Sequence, residues 1–349
     1  MARASTTPDP DPSARTLIGA AAAGTTAAGD PAPAPEPDAS AQREFRLRDG
    51  ESVADGIRGA ARGQLAAAED NFAAVSKVGL GAAVHDTRKR IKRVRAALRL
   101  SRGAISDDVY RRDNAGLRAI ANRLSPPRDA HVLIQTLDDL QERCAEELPP
   151  GGGAALRARL VEERERALVA IDRGGTIVGE TAQALAEARA RTEQWAFERD
   201  GFEALEPGLR RIYRRGRKRL RAAREEPTAE NLHDCRKRVK DLWHAAQLLH
   251  PAHPERMERL ARDAHELADL IGDHHDLSVL RDYVEEHPEL FEDHESRDAL
   301  LAALDRRRDG LARRALKRGR RLYDRSPKRF VASVKRGWRK RVAAAAERG

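Results

Sequence analysis

Two segments of this 349-residue chain carry nearly the same cluster of basic residues. The segment HDTRKRIK at 85–92 returns as HDCRKRVK at 233–240, with six of the eight positions identical. Positions three and four apart share one face of a helix, so each segment would present a strip of cations that begins with a histidine. Arginine donates forked hydrogen bonds to phosphate oxygens, and lysine adds a mobile positive charge. The pattern therefore predicts binding of a phosphate-rich anion.

Each basic strip lies beside an apolar stripe that would anchor its helix. The first strip consists of His85, Arg88, Lys89, Lys92, Arg95 and Arg99. The second strip consists of His233, Arg236, Lys237, Lys240 and His244. Trp243 occupies the position that corresponds to Arg95. A basic helix face is often no more than a solvated face, but the repetition of both the histidine and the spacing favours a binding site.

A second pair of motifs supports an internal duplication. RDAHVL at 128–133 aligns with HHDLSVL at 274–280, so that Arg128 corresponds to His275 at nearly the same offset. Two matched motifs predict duplicated halves of about four helices each. We therefore expect an all-α fold of two antiparallel four-helix bundles related by an approximate two-fold axis.

The composition agrees with a helical, basic protein. Charged residues make up 35% of the chain and aromatic residues only 4%, with alanine, leucine, arginine and glutamate abundant. The formal net charge is +10. Residues 1–42 contain two arginines and five acids, a charge of −3, which leaves +13 on the remainder. Such an excess indicates an anionic partner but does not identify it.

The domain prediction separates a tail from a helical domain. Residues 1–42 are rich in proline and alanine and are predicted to be disordered. Residues 43–349 form the helical domain, with halves at about 43–200 and 201–349. Glycine and proline breaks predict roughly eight to ten helices. These breaks are the glycines at 151–153, Pro207, Pro227, Pro251 and Pro327.

Two further segments add cations. The segment 209–224 has nine basic residues and no acid, with a stripe of arginines beside an apolar stripe. The segment 319–341 has ten basic residues and one aspartate. Tyr323, Phe330 and Trp338 of this segment are spaced for packing.

Catalysis has no candidate centre in the sequence. The HHD at 274–276, with His233 and Asp234, superficially resembles a phosphohydrolase metal site, but the neighbouring arginines and lysines would repel a divalent cation. No phosphate-binding glycine loop or catalytic triad is present. Cys144 and Cys235 predict neither a disulfide framework nor a zinc site. We expect a cytoplasmic binding protein without catalytic residues, metal or cofactor.

The sequence resembles the CHAD domain, the conserved histidine α-helical domain, over about residues 45–345. The resemblance depends on the two HDxRKR segments, the RDAHVL and HHDLSVL motifs, YRRGRKRL, and GRRLYDRSPKRF near the end. It implies a pair of four-helix bundles that enclose a basic surface or channel, binding of inorganic polyphosphate, and targeting to polyphosphate granules. It implies no catalytic activity.

The resemblance also implies a set of ligand-facing residues. They are His85, Arg88, Lys89, Lys92 and Arg95 in the first half, and His233, Arg236, Lys237 and Lys240 in the second. The expected extensions of this surface are Arg214, Arg217, Lys218, Arg320, Arg321 and Lys328, together with Arg128 and His275. RNA or another nucleic acid stays open as the alternative ligand, and a membrane partner is not expected because no run of eighteen apolar residues occurs. The sequence leaves the oligomeric state open.

Overall fold

The protein is all-helical wherever the computed structural model describes it. The described residues are 45–48, 50–124, 126–149, 152–172 and 176–347. They contain twelve α-helices and no β-strand. The helices are α1 Val53–Ala73, α2 Val75–Val78, α3 Leu80–Leu100, α4 Asp107–Arg123, α5 Pro126–Arg143, α6 Ala154–Asp172, α7 Thr176–Arg191, α8 Gly201–Glu225, α9 Ala229–Leu248, α10 Pro254–Glu286, α11 His294–Leu322 and α12 Pro327–Ala346. The all-α prediction is confirmed, although eight to ten helices was too few.

The predicted tail at 1–42 lies outside the described residues. The chain enters the core at Phe45 and Leu47, which are both buried although neither is helical. The backbone N–H of Leu47 donates to the carbonyl of Leu248 at 3.1 Å. Among the described residues the first helix starts at Val53, later than the apolar pattern from Phe45 onward indicated.

One helix boundary that was predicted from a proline, at Pro207, is wrong. Pro227 lies between α8 and α9 and Pro327 begins α12, as predicted, but Pro207 lies inside α8. The neighbouring Gly208 packs against the backbone of Leu100 so closely that a Cβ would collide with its carbonyl oxygen. This close crossing of α8 and α3 holds the first turns of α8 in helical form, and the packing outweighs the local cost of the proline.

Buried apolar side chains form two clusters. The larger cluster draws on α1, α3, α4, α7, α8, α9 and α12, on the first part of α10 and on the last part of α11. The smaller cluster is formed by α5 and α6 with the second part of α10 and the first part of α11. Both clusters contain residues from before and after position 200, so each half of the sequence contributes to both cores. The long helices α10 and α11 take part in both clusters.

The two helices that carry the repeated basic strips, α3 and α9, pack against each other. Their contact contains the buried carboxylate of Asp241. One of its oxygens lies 3.1 Å from Nη1 of Arg99 in α3, and the other lies 2.8 Å from Nη1 of Arg238 in α9. The carboxylate thus pairs with one arginine from each helix where the two helices meet.

Replacing Asp241 by alanine should lower the free energy of unfolding by about 3–5 kcal/mol, because two largely buried guanidinium groups would lose their counter-charge. The Asp241→Asn variant keeps the shape and should show most of the same loss. Urea denaturation measures both. Asp108→Ala is the control, because its ion pair with Arg111 is fully exposed and should contribute little to stability. Equal small losses at Asp241 and Asp108 would contradict the assignment.

Candidate functional site

A cleft of about 620 Å³ lies where α3, α9 and α10 meet the end of α4 and the first part of α5. Most of the residues of the two repeated strips line it. Its lining consists of His85, Arg88, Lys89, Lys92, Arg93, Asn122, Val132, His233, Arg236, Lys237, Lys240, Trp243, His244, His265, Asp269, His275 and Asp276. The segments at 85–92 and 233–240 are far apart in sequence, and the packing of α3 on α9 brings them to one site.

The cleft is strongly cationic. Seven lysines and arginines line it, against two aspartates, which gives a net charge of +5 with the histidines neutral. Concave walls of low dielectric focus the field of like charges into the opening. The arrangement therefore attracts anions.

Corresponding arginines of the two repeats are positioned in corresponding ways. Arg88 donates a hydrogen bond to the backbone carbonyl of Ala121, at the end of α4. Arg236 donates from Nε to the backbone carbonyl of Ala268 in α10, at 3.0 Å. Gly272 makes room for this guanidinium, because a Cβ there would collide with it. Carbonyl partners orient the guanidinium groups and leave their positive charge in the cleft.

The lysines differ in their surroundings. Lys237 is exposed at the rim, where its Nζ lies 3.0 Å from the carboxylate of Asp234. Lys240 lies deeper, and burial lowers its pKa from the usual 10.5 to about 7, with Arg236 and Lys92 lowering it further. Lys240 is thus part neutral at pH 7, and an anion placed beside it would favour its charged form.

Two histidines of the cleft are neutral at pH 7. Burial and the neighbouring His275 lower the pKa of His233 to about 4, and the rings of His233 and His275 pack with centroids 4.2 Å apart. Burial lowers the pKa of His244 to about 3, and its Nδ1 lies 2.9 Å from the Gln247 side-chain oxygen. His244 had been expected to be part of a cationic strip, but its burial keeps it uncharged.

Several predicted residues lie outside the cleft. Arg99 of the first strip instead lies at the contact of α3 with α9, where its Nη1 is 3.1 Å from the buried carboxylate of Asp241. Nε of Arg95 donates to Asn114 Oδ1 of α4 at 3.1 Å, and burial lowers its pKa to about 10. Arg217, Lys218 and Arg320 line a separate groove. Exposed residues that line neither the cleft nor that groove are Arg214, Arg321 and Lys328. Arg128 lies in the first turn of α5, and its side chain is not among those described.

Sequence reasoning missed other lining residues. Trp243 packs edge-on against His265 at 4.0 Å between ring centroids. His265, Asp269 and Asp276 lie along one side of α10, with spacings of four and seven residues. Residues with these spacings share one face of a helix, and His275 lies beside that face. This pattern in the sequence could have identified α10 as a wall of the cleft. Arg93 and Asn122 carried no such signal.

The acids that directly follow the two repeated histidines make ion pairs, and both cysteines are free. Asp86 pairs with Arg90, and Asp234 pairs with Lys237. Cys144 and Cys235 are both free. Within the described ranges, no group of three or more histidine, cysteine, aspartate and glutamate residues is arranged to hold a metal ion. None of the helices in that part of the chain is long and apolar enough to cross a bilayer.

The unusual position of Lys240 gives a prediction for the free protein. Its folded-state pKa is lowered, so between about pH 7 and the unfolded value near 10.5 the unfolded state binds more protons, and the free energy of unfolding should rise with pH. Lys240→Met should remove up to about 1.4 kcal/mol of that rise per pH unit. Urea denaturation between about pH 7 and about pH 9 measures the slope. The exposed Lys328→Met is the control, and equal slopes in both variants would show that Lys240 titrates normally.

Comparisons with known proteins agree with this helical architecture. The CHAD domain family model matches residues 59–285. A crystal structure of the CHAD domain from the plant Ricinus communis is similar in fold, with a TM-score of 0.54 and 18% sequence identity. The match covers 77% of this chain and 94% of the plant chain. No curated protein matches the sequence.

Proposed function

The chain belongs to the CHAD domain family, and we propose that it binds inorganic polyphosphate, a long linear polyanion, in the cleft between α3, α9 and α10. The observation that carries the proposal is the convergence of both repeated basic strips on one concave surface. Family membership favours polyphosphate over other polyanions. Such binding would also attach the protein to polyphosphate granules, which we propose as its location in the cytoplasm.

The chemistry of the cleft suits a repetitive anion. Arg88 and Arg236 are held by backbone carbonyls, which do not neutralise their charge, while Lys92 and Lys237 are exposed and can follow a ligand. The neutral imidazole of His233 can donate a hydrogen bond to a phosphate oxygen without adding positive charge to the cleft. A linear polymer that neutralises several of these cations would release its counterions, which favours binding at low salt.

We propose a binding module without catalytic residues or a cofactor. Seven lysines and arginines around His233, His275 and Asp276 oppose the approach of a divalent cation, which a metal-dependent phosphohydrolase would need at this position. RNA is the competing ligand, since it shares the phosphate backbone. Stacking platforms for unpaired bases are typical of RNA sites, whereas here Trp243 is stacked on His244 and contacts His265.

We further propose that the fold is a duplicated unit of two pseudo-two-fold-related four-helix bundles. Equivalent helices make equivalent contacts: α1 packs on α3 as α8 packs on α9, and α1 packs on α7 as α8 packs on α12. The pair α5 and α6 likewise corresponds to α10 and α11. Arg88 and Arg236 also use the same type of partner.

The cleft variant Lys89→Ala/Lys92→Ala/Lys237→Ala tests the proposed ligand. These lysines are chosen because removing Arg88 or Arg236 would also remove contacts between helices. In competition at one moderate salt concentration, wild-type protein should prefer long-chain polyphosphate over RNA, DNA and orthophosphate, and the cleft variant should lose that preference. The negative slope of log affinity against log salt should become shallower by about two, because three phosphate contacts are lost.

A charge-matched variant, Arg62→Ala/Arg111→Ala/Arg166→Ala, is the control. These arginines are at least half exposed and are paired with acids at the surface. They line neither the cleft nor the separate groove that contains Arg217. It should retain preference for polyphosphate. Equal competition by RNA, or equal losses in the two variants, would show that the protein is a generic binder of polyanions.

Polyphosphate binding should also take up protons near pH 8. The cleft holds Lys240 part neutral at pH 7, and a bound polyanion would raise its pKa, so affinity should decrease as the pH rises from about 7 to about 9. Calorimetric titrations in two buffers with different ionisation enthalpies measure the proton uptake. Lys240→Met should bind without this uptake, and unchanged uptake in that variant would assign the linkage to another group.

A further inference from the structure

The amine of Lys240 has no fixed partner in the wall of the cleft. Lys240 is partly buried and makes no hydrogen bond or ion pair with any residue that the structure describes. With its pKa lowered to about 7, roughly half of the molecules carry a neutral amine at pH 7. A lysine with the ordinary pKa of 10.5 is neutral in only about one molecule in 3,000 at that pH. The cleft therefore exposes a free amine, which is the nucleophilic form of lysine.

Four charged groups from three helices lie around this amine. Arg236 lies one turn earlier on α9, and Lys92 comes from α3. Asp269 and Asp276 of α10 act on the amine with the opposite sign. The two cations can hold a phosphate group, and the two carboxylates can accept a proton. The amine thus lies between a phosphate site and two bases.

Arg236 is held in a fixed position for this purpose. Its Nε donates to the carbonyl of Ala268, and its guanidinium lies where a Cβ on residue 272 would be, so that only glycine fits there. Residues four apart share one face of a helix, so Arg236 and Lys240 face the same space. A phosphate bound to the remaining N–H donors of this guanidinium would bring any group attached to it towards the Lys240 amine.

A neutral amine beside a phosphate site suits one class of reagent. Acyl phosphates carry an electrophilic carbon that is separated from phosphorus by a single oxygen. Docking through the phosphate would hold that carbon beside the nitrogen, which replaces a bimolecular encounter by an oriented one. Positive charges around the phosphate would also stabilise it as the leaving group.

We propose that Lys240 is an acylation site, which reacts with acyl phosphates that dock through their phosphate group on Arg236 and Lys92. The nitrogen lone pair attacks the acyl carbon, a C–N bond forms, and the bond from that carbon to the phosphate oxygen breaks. Inorganic phosphate leaves with the electron pair and takes up the proton that the nitrogen loses, directly or through Asp269 or Asp276. This inference goes beyond the proposed function and requires only that the cleft binds phosphate groups.

Acylation at this position would change what the cleft binds. It would replace one of the seven lysines and arginines by a neutral amide, so that the net charge of the cleft would fall from +5 to +4. The amide would also occupy space beside Arg236. A bound polyanion would in turn cover the amine and favour its unreactive charged form. Acylation and anion binding would therefore exclude each other.

The test compares two acetylating reagents, acetyl phosphate and N-hydroxysuccinimide acetate, of which only the first carries a phosphate. The chain has ten lysines, so the other nine are internal references for peptide mass spectrometry. With acetyl phosphate at pH 7, Lys240 should react at least about tenfold faster than the average of the others. This advantage should be clearly smaller with N-hydroxysuccinimide acetate. Saturating tripolyphosphate should abolish it, while the reaction of exposed Lys77 should not change.

The variant Lys92→Met tests the docking step. Removing Lys92 also changes the protonation of Lys240, but this affects both reagents equally, so the ratio of the two rates at Lys240 isolates docking. We expect that ratio to fall at least about threefold, since one of two cations that hold the phosphate is lost. The matched control is Lys77→Met, at an exposed lysine that does not line the cleft, and it should keep the wild-type ratio. Thermal unfolding checks that both variants are folded.

A binding measurement tests the consequence of acylation. Treatment of wild type with acetyl phosphate should weaken the binding of tripolyphosphate about tenfold, because one charge-assisted hydrogen bond is lost. The variant Lys240→Arg keeps the positive charge and has no amine to acylate. Its affinity should not change on the same treatment.

Other outcomes would overturn the inference. Lys240 that reacted no faster than the other lysines, or that had the same advantage with both reagents, would not be a site for acyl phosphates. An unchanged ratio in Lys92→Met, or acetylation that persisted in saturating tripolyphosphate, would also reject docking in the cleft. Selective acetylation in a protein that did not prefer long-chain polyphosphate would support this inference and reject the proposed function. Preference for polyphosphate without selective acetylation would do the reverse.

Discussion

The carboxylate of Asp241 lies between Arg99 of α3 and Arg238 of α9, and the cleft depends on this contact. Two helices rich in cations repel each other, and the repulsion grows as their charges leave water. Apolar residues such as Val94 and Val239 bury the inner faces, but they do not remove that repulsion. One shared acid at the interface pairs with Arg99 and Arg238, which are both largely buried, and so reduces that repulsion. The remaining cations can then project to the other side, where they form one surface.

The cleft cations are held in a way that preserves their charge. Arg236 donates to the carbonyl of Ala268, and a carbonyl is a dipole that positions a guanidinium without cancelling it. A guanidinium has five N–H donors, so a single bond of this kind leaves others directed away from the carbonyl. Had a glutamate occupied that position, the arginine would be equally well ordered but much less attractive to an anion. Arg88 and Arg236 in the cleft thus meet backbone carbonyls, whereas Arg99 and Arg238 at the helix contact meet an acid.

The sequence predicted the parts of the site that are encoded locally. The HDxRKR repeat identified two helices and their cationic faces, and the packing of α3 on α9 brings most of those side chains together. It could not predict that Arg95 faces Asn114, because the position of α4 depends on tertiary packing. The lowered pKa of Lys240 likewise depends on burial between Arg236 and Lys92, which come from different helices. Pro207 was wrongly expected to end a helix because the close crossing at Gly208 has no local signal.

Asp269 and Asp276 on α10 place two negative charges in a cleft whose cations would otherwise act together. They raise the pKa of Lys240 slightly against the larger effect of burial. They also reduce the net attraction for any anion, which would be a defect in a site that must bind a single small ligand tightly. For a polymer the requirement differs, because the total affinity comes from many contacts and each contact must be weak enough to exchange. A cleft of moderate charge would suit the proposed polymer, because it would hold a long chain through many contacts while letting individual segments move.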